Sequence, residues 1–230
     1  MILPRSEDAM HKAWLYRILS HIYDNQTLAR VLYFKGGTCA AMLGWIDRFS
    51  VDLDFDYAGD KKEMNRIRKE MERIFKTLGL TIKDRSARSP QYFLKYPATR
   101  IGKQNVLKID ATFPLPKSNA YQPLRFNEID RIITCQTQET MFANKLVAVL
   151  DRYKKTRSIA GRDIYDTHYF FYIGARYRES IIYERTGKKT REFLLELSAF
   201  IKKNVTETII TQDLSVLLPC ARFCQIRKTL

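Results

Sequence analysis

Apolar residues first recur at helical spacing. Met10, Trp14, Leu15, Ile18 and Ile22 share one face of 6–24, which predicts an amphipathic helix. Ser6 is placed as its N-cap, with Glu7 and Asp8 in the first turn, where acidic side chains suit the helix dipole. Residues 30–34, Arg-Val-Leu-Tyr-Phe, read as a short buried strand or a helix end. Gly36 and Gly37 break that run ahead of a helix start at 38–43. The period then changes to two. Val51, Leu53, Phe55 and Tyr57 point one way and Asp52, Asp54 and Asp56 the other, a strand over 50–57 with one apolar and one acidic face. Helical spacing returns over 60–78, where Met64, Ile67, Met71, Ile74, Phe75 and Leu78 form a stripe and Gly79 supplies the stop. Strand-like segments follow at 80–84, 91–97, 105–113 and 129–134. Beyond about 137 the pattern is helical: 138–154, 162–173, 178–185, 190–204 and a shorter 206–217. The prediction is an α+β fold. A mixed sheet with flanking helices occupies residues 1–135, and a helical bundle occupies 136–230.

Composition narrows the function classes. The chain has 230 residues, 45% of them hydrophobic, enough for a sizeable core. No apolar run approaches the ~20 residues of a membrane helix, and the N-terminal stretch lacks the apolar region of a secretion signal. The expected setting is the cytoplasm, with no membrane partner. Net charge is +15, and Lys and Arg recur at 61–76, 83–103, 152–162, 176–191 and 222–228. So large an excess points to a polyanion such as nucleic acid, a nucleotide or an acidic protein. A solvated basic surface is the plainer alternative. Cys39, Cys135, Cys220 and Cys224 read as reduced structural thiols, because Cys220 and Cys224 have no histidine near them in sequence to complete a zinc site.

The acidic strand carries the candidate chemistry. Carboxylates at i and i+2 set two hard oxygen ligands side by side. That suits magnesium, which keeps waters and adds substrate phosphate oxygens to a few protein ligands. A bare Asp-x-Asp is short and common, so its neighbours decide. Gly36 and Gly37 let backbone approach a phosphate, the following helix offers free N–H groups, and the Thr38 hydroxyl adds a donor. Arg48 can grip a phosphate bidentately or balance the acids, and Ser50 lies two residues before Asp52. Asp110, in the alternating segment Val-Leu-Lys-Ile-Asp-Ala-Thr-Phe, offers a third acid as a metal ligand or as a base toward an acceptor hydroxyl.

Taken together, Lys35-Gly-Gly-Thr38 and Arg48-Phe-Ser-Val-Asp-Leu-Asp-Phe55 resemble the AbiEii/AbiGii toxin family of the nucleotidyltransferase superfamily. Lys145, the basic stretch after it and Arg162-Asp-Ile-Tyr-Asp166 extend the resemblance, which spans roughly residues 33–172. It implies a polymerase-β-like catalytic core, Mg²⁺ as cofactor, an NTP substrate, and a toxin's role opposed by an antitoxin encoded beside it in a type IV toxin–antitoxin or abortive-infection system. Residue 39, commonly small and aliphatic in the family, is cysteine here.

In the helical half, Lys145 and Arg152 share a face two turns apart, able to hold a triphosphate and the leaving pyrophosphate. Arg152, Lys154, Lys155 and Arg157 read as RNA contacts or as a solvated basic face. Asp163 is expected, ahead of Asp166, to orient Lys145 or the nucleotide, while Arg162 and Asp166, four apart, can simply pair. The aromatic segment 165–177 can stack on RNA bases, although helical spacing favours core packing. The reading is a nucleotidyltransferase acting on RNA, with tRNA the expected acceptor. Its metal ligands are Asp52, Asp54 and Asp110. Gly36, Gly37, Thr38, Arg48, Ser50 and Lys145 bind the nucleotide, and Asp52, Asp54, Asp110, Lys145 and Asp163 act in catalysis. Transfer to a small molecule or a protein, with Ser50 a self-target, and an inactive nucleotide- or RNA-binding protein are the alternatives.

Overall fold

A computed structural model describes residues 1–97 and 105–227. The parts of the basic stretches at 98–103 and at 228 lie outside the described residues. Seven strands form one sheet: β1 (Leu32–Lys35), β2 (Leu53–Tyr57), β3 (Thr81–Arg85), β4 (Gln91–Lys95), β5 (Val106–Thr112), β6 (Tyr121–Phe126) and β7 (Arg131–Gln136), in the order β3-β4-β5-β2-β1-β7-β6. β2 runs parallel to β5 and β1 parallel to β7; the other pairs are antiparallel.

Alternation gives this sheet two unlike faces. Leu53, Phe55, Leu107, Ile109, Tyr92 and Leu94 are fully buried on one. Against that face pack α1 (Ala9–Asp24), α2 (Gln26–Ala29) and α4 (Met64–Thr77), with the Phe75 ring edge-on to Tyr92 at 5.1 Å. The predicted stripe of α4 is its buried side, and Gly79, at φ +70°, follows its C-cap. The other face carries Asp54 and Asp110. Between β1 and β2 sits α3 (Gly36–Met42), which starts directly at the glycine pair.

The change from sheet to helix falls at Thr137, whose side chain accepts the Thr140 N–H and caps α5 (Gln138–Thr156). There follow α6 (Gly161–Tyr172), α7 (Glu179–Thr186), α8 (Thr190–Asn204), α9 (Glu207–Leu214) and α10 (Cys220–Arg227). Buried apolar residues of both halves belong to one cluster.

Several expectations change. Ser6 does not cap α1. It lies in a 3-10 turn, Ser6–Asp8, and the Arg5 side chain bonds Asp8 instead. β2 begins at Leu53, so Asp52 sits just ahead of the strand. β6 had no counterpart in the pattern because Pro123 interrupts it. It is an edge strand, where a missing N–H is tolerated. Cys220 and Cys224 lie exposed on α10, a helix the periodicity did not predict, whereas Cys39 and Cys135 are buried.

Candidate active site

Register brings the acids together. Asp54 of β2 lies directly opposite Asp110 of the parallel β5, and Lys35 of β1 opposite Asp54 on the other side. Gly36 turns the chain from β1 into α3 at φ +80°, a conformation that favours glycine. A β-carbon at 36 would stand 2.6 Å from the Asp54 Oδ2, and one at 37 would stand 2.9 Å from the Ser50 Oγ and 3.0 Å from the Arg48 Nη2. Both glycines therefore exist for close approach. They let the start of α3, the acidic strand and the 48–50 segment converge.

Gly36, Gly37, Ser50, Asp52, Asp54, Lys145, Arg152, Arg162 and Asp163 line a cleft of about 150 Å³. A neighbouring cleft of about 350 Å³ shares Gly36, Asp54, Lys145 and Asp163 with it. Its far wall is a chain of hydrogen bonds that the sequence did not announce. Asn144 donates to the Asn119 side-chain oxygen at 3.0 Å, Asn119 donates to Asp56, and Arg185 donates to the Asn144 side-chain oxygen at 2.8 Å and to Asp151 at 2.6 Å. Amide side chains in a loop and on a helix gave no pattern to read.

The acids differ sharply in their surroundings. Burial, then the charges of Asp52 and Asp110, push the Asp54 carboxyl up to about 6, although Lys35 and Lys108 pull it back. Burial also raises Asp52, opposed by Arg162 and Lys108. Among the described residues neither forms an ion pair. Asp110 does: its Oδ2 accepts from Lys108 at 2.7 Å and from Gln91 at 2.9 Å. No group of three acidic, histidine or cysteine side chains among the described residues forms a ready metal cage. Asp56, on the same side of the strand, is wholly buried. It accepts from Lys35 at 2.6 Å, Gln136 at 2.6 Å, Tyr121 at 2.8 Å and Asn119 at 3.1 Å. All its acceptor capacity goes into the fold.

Three expectations about single residues need correcting. The Thr38 hydroxyl, fully buried, donates to the Asp52 carbonyl and so pins the start of β2 instead of reaching a phosphate. Arg48 is buried too, and its fork is occupied: Nε and Nη2 each lie 2.6 Å from an oxygen of Asp166, and Nη1 donates to the Phe49 carbonyl. It has no bidentate grip left for a phosphate. Asp166, not Asp163, meets Lys145, at 2.5 Å. Asp163 pairs with Arg152 at 2.9 Å, and Arg162, which does not pair with Asp166, lines the same cleft as Asp52 and its charge draws that carboxyl down. Of the other basic candidates, Lys154 and Lys155 are exposed, and Arg157 ends α5 at φ 56° over the Tyr153 ring.

Residues 17–218 match the model of the nucleotidyl transferase AbiEii toxin family of type IV toxin–antitoxin systems. The chain belongs to that family. It is a nucleotidyltransferase of the toxin class. Solved structures agree on the fold: a protein assigned as a nucleotidyltransferase from H. pylori has a TM-score of 0.58 at 17% identity, with 91% of this chain and 81% of that one covered. JHP933 from Helicobacter pylori follows at 0.55 and 17%, covering 92% and 80%. The antibiotic-resistance factor ANT(2'')-Ia scores 0.50 at 18%, covering 84% and 98%. No curated protein matches the chain, and among the described residues no helix is long and apolar enough to cross a membrane.

Proposed function

We propose that this AbiEii-family chain transfers a nucleotide from an NTP to a hydroxyl of RNA, with tRNA the expected acceptor, and requires Mg²⁺. One observation carries the reading: the Asp52–Asp54 pair, without an ion pair of its own among the described residues, faces a cationic wall of Lys145, Arg152 and Arg162 across one cleft. The raised carboxyls are short of positive charge, which fits a divalent cation held by Asp52 and Asp54, with Asp110 beside them. Few protein ligands and no closed cage is what magnesium takes when phosphate oxygens complete its shell. When bound, the ion would supply Lewis-acid polarisation of the phosphates.

The chain's own residues do the rest. Lys145, fixed by Asp166, and Arg152 neutralise the triphosphate and then the pyrophosphate that leaves as the bond from its oxygen to the α-phosphorus breaks. The acceptor oxygen forms the new bond to that phosphorus. Its proton passes to a carboxylate, a role we give to Asp110, which lies opposite Asp54; one of its oxygens is anchored by Gln91 and Lys108 and the other is unbonded among the described residues. The amide-lined cleft beside Lys145 is sized for a base and ribose. The charge of +15 favours RNA over a small acceptor. The family's type IV assignment makes a cognate antitoxin the expected partner.

Incubation with each α-labelled NTP, Mg²⁺ and total tRNA, beside an Asp52→Ala/Asp54→Ala variant, tests this. Label on RNA that the variant fails to produce supports it. Label on the protein, for instance at Ser50, would instead establish self-modification, and folded protein that labels no RNA would overturn the RNA acceptor.

A further inference from the structure

A second cavity, of about 460 Å³, lies away from the acidic cleft, between α6, α9 and α10. Tyr165, His168, Tyr169 and Tyr172 fall at i, i+3, i+4 and i+7 along α6 and form its aromatic side; Arg222 and Gln225 of α10 face them. At 3.6 residues per turn this stripe is roughly 140° around the helix from Asp163 and Asp166, and Tyr172 is about 14 Å along it from Asp163. Tyr165 is buried in the core and Tyr169 packs against it, but the two outer rings are not core filling. Tyr172 is 76% exposed and His168 is exposed. They stack on each other at 6.4 Å and 23°, and Tyr165 stacks on Tyr169 at 6.3 Å and 28°. Arg222 is held in place by Asp47 at 2.8 Å, which also accepts the Tyr165 hydroxyl at 2.6 Å. Among the described residues no carboxylate lines the cavity. The exposed Arg176 and Arg178 follow in the loop after α6.

We infer that this cavity binds an unpaired nucleotide of the RNA acceptor. The inference rests on the RNA reading above and adds where the acceptor is held. Stacked rings, the His168 and Tyr172 pair open to water, with a hydrogen-bonding amide and a fixed cation match a nucleobase with its phosphate, and duplex RNA cannot offer a base face. The net charge of +15 makes a polyanion the complementary occupant. Because α6 also carries Asp163 and Asp166, the cavity ties acceptor position to the cleft through one rigid helix.

Fluorescence anisotropy with a labelled single-stranded RNA decamer, and with the same strand in a duplex, tests this without NTP or Mg²⁺. The His168→Ala/Tyr172→Ala variant is expected to bind the single strand about ten-fold or more weakly, with the duplex unaffected. Tyr172→Phe is expected to retain wild-type affinity. Unchanged single-strand affinity in the double variant overturns the site, as does equal loss for duplex and single strand. Loss of a co-expressed protein partner with RNA affinity intact also overturns it, and marks a protein contact instead. Binding is read apart from transfer, so an enzyme that labels no RNA yet binds the decamer through Tyr172 keeps this site and loses the catalytic reading.

Discussion

Asp166 and Arg48 meet fork to fork across 118 positions of chain, with two 2.6 Å hydrogen bonds and both side chains buried. Lys145 adds a third contact to the same carboxylate. Burial by itself would raise Asp166, but Arg48 and Lys145 outweigh it and hold the carboxyl below its ordinary value. Removing the acid leaves buried cations uncompensated. Asp166→Ala is therefore expected to cost about 3–5 kcal/mol, read from urea midpoints at pH 7. A depressed carboxyl stabilises above its unfolded value near 4 and loses that contribution as pH falls through the folded value. The gap between wild type and Asp166→Asn should accordingly narrow below about pH 4.

Asp54 behaves in the opposite sense. Burial and its acidic neighbours raise it to about 6, so the folded chain holds that proton more tightly than the unfolded one. Its favourable contribution is present below about pH 4 and is lost as pH rises through 6. Above that, the charged form strains the site. Asp54→Asn should stabilise the protein at pH 8 by about 1–2 kcal/mol, discounted for the partial exposure of the side chain, with the gain shrinking by pH 5. Mg²⁺ should raise the melting temperature of the wild type at pH 8 and leave Asp54→Asn unmoved.

Gly36 and Gly79 both hold positive φ, +80° and +70°, but only Gly36 has the Asp54 carboxylate against it. Gly79→Ala should cost about 1 kcal/mol through backbone strain alone and leave transfer intact. Gly36→Ala adds the displacement of Asp54, and transfer is expected to fall by about a hundred-fold or more, since an ångström of misplacement at a reacting centre has that effect. Equal activities of the two variants would contradict this.

Asp56 separates structural from chemical acids on one strand. With four hydrogen-bond donors on it, Asp56→Ala should destabilise by about 3–5 kcal/mol. Asp52→Ala should leave the urea midpoint unchanged or higher.

Much of this was legible beforehand because alternation and helical period are local. The faces of β2 and β5, the stripe of α4 and the change to helices at 137 all follow from neighbouring residues. What was not legible depends on distant ones. Asp166 and Asp163 look alike in sequence, and only the packing of α6 on α5 decides which meets Lys145. Thr38 and Arg48 lie in a motif that suggests phosphate contact, yet both turn inward to fasten Asp52 and Asp166. The aromatic segment after 165 has core spacing, and only the fold shows Tyr172 in solvent.

Under the proposed function the Asp52–Asp54 pair, set against Lys145, drives nucleotidyl transfer. The most direct measurement is single-turnover release of pyrophosphate from labelled NTP in the presence of tRNA and Mg²⁺, for wild type and Asp54→Asn. The expected result is release by the wild type that EDTA abolishes, and at least a hundred-fold slower release by Asp54→Asn despite its greater stability. Undiminished release by the folded Asp54→Asn variant would contradict it.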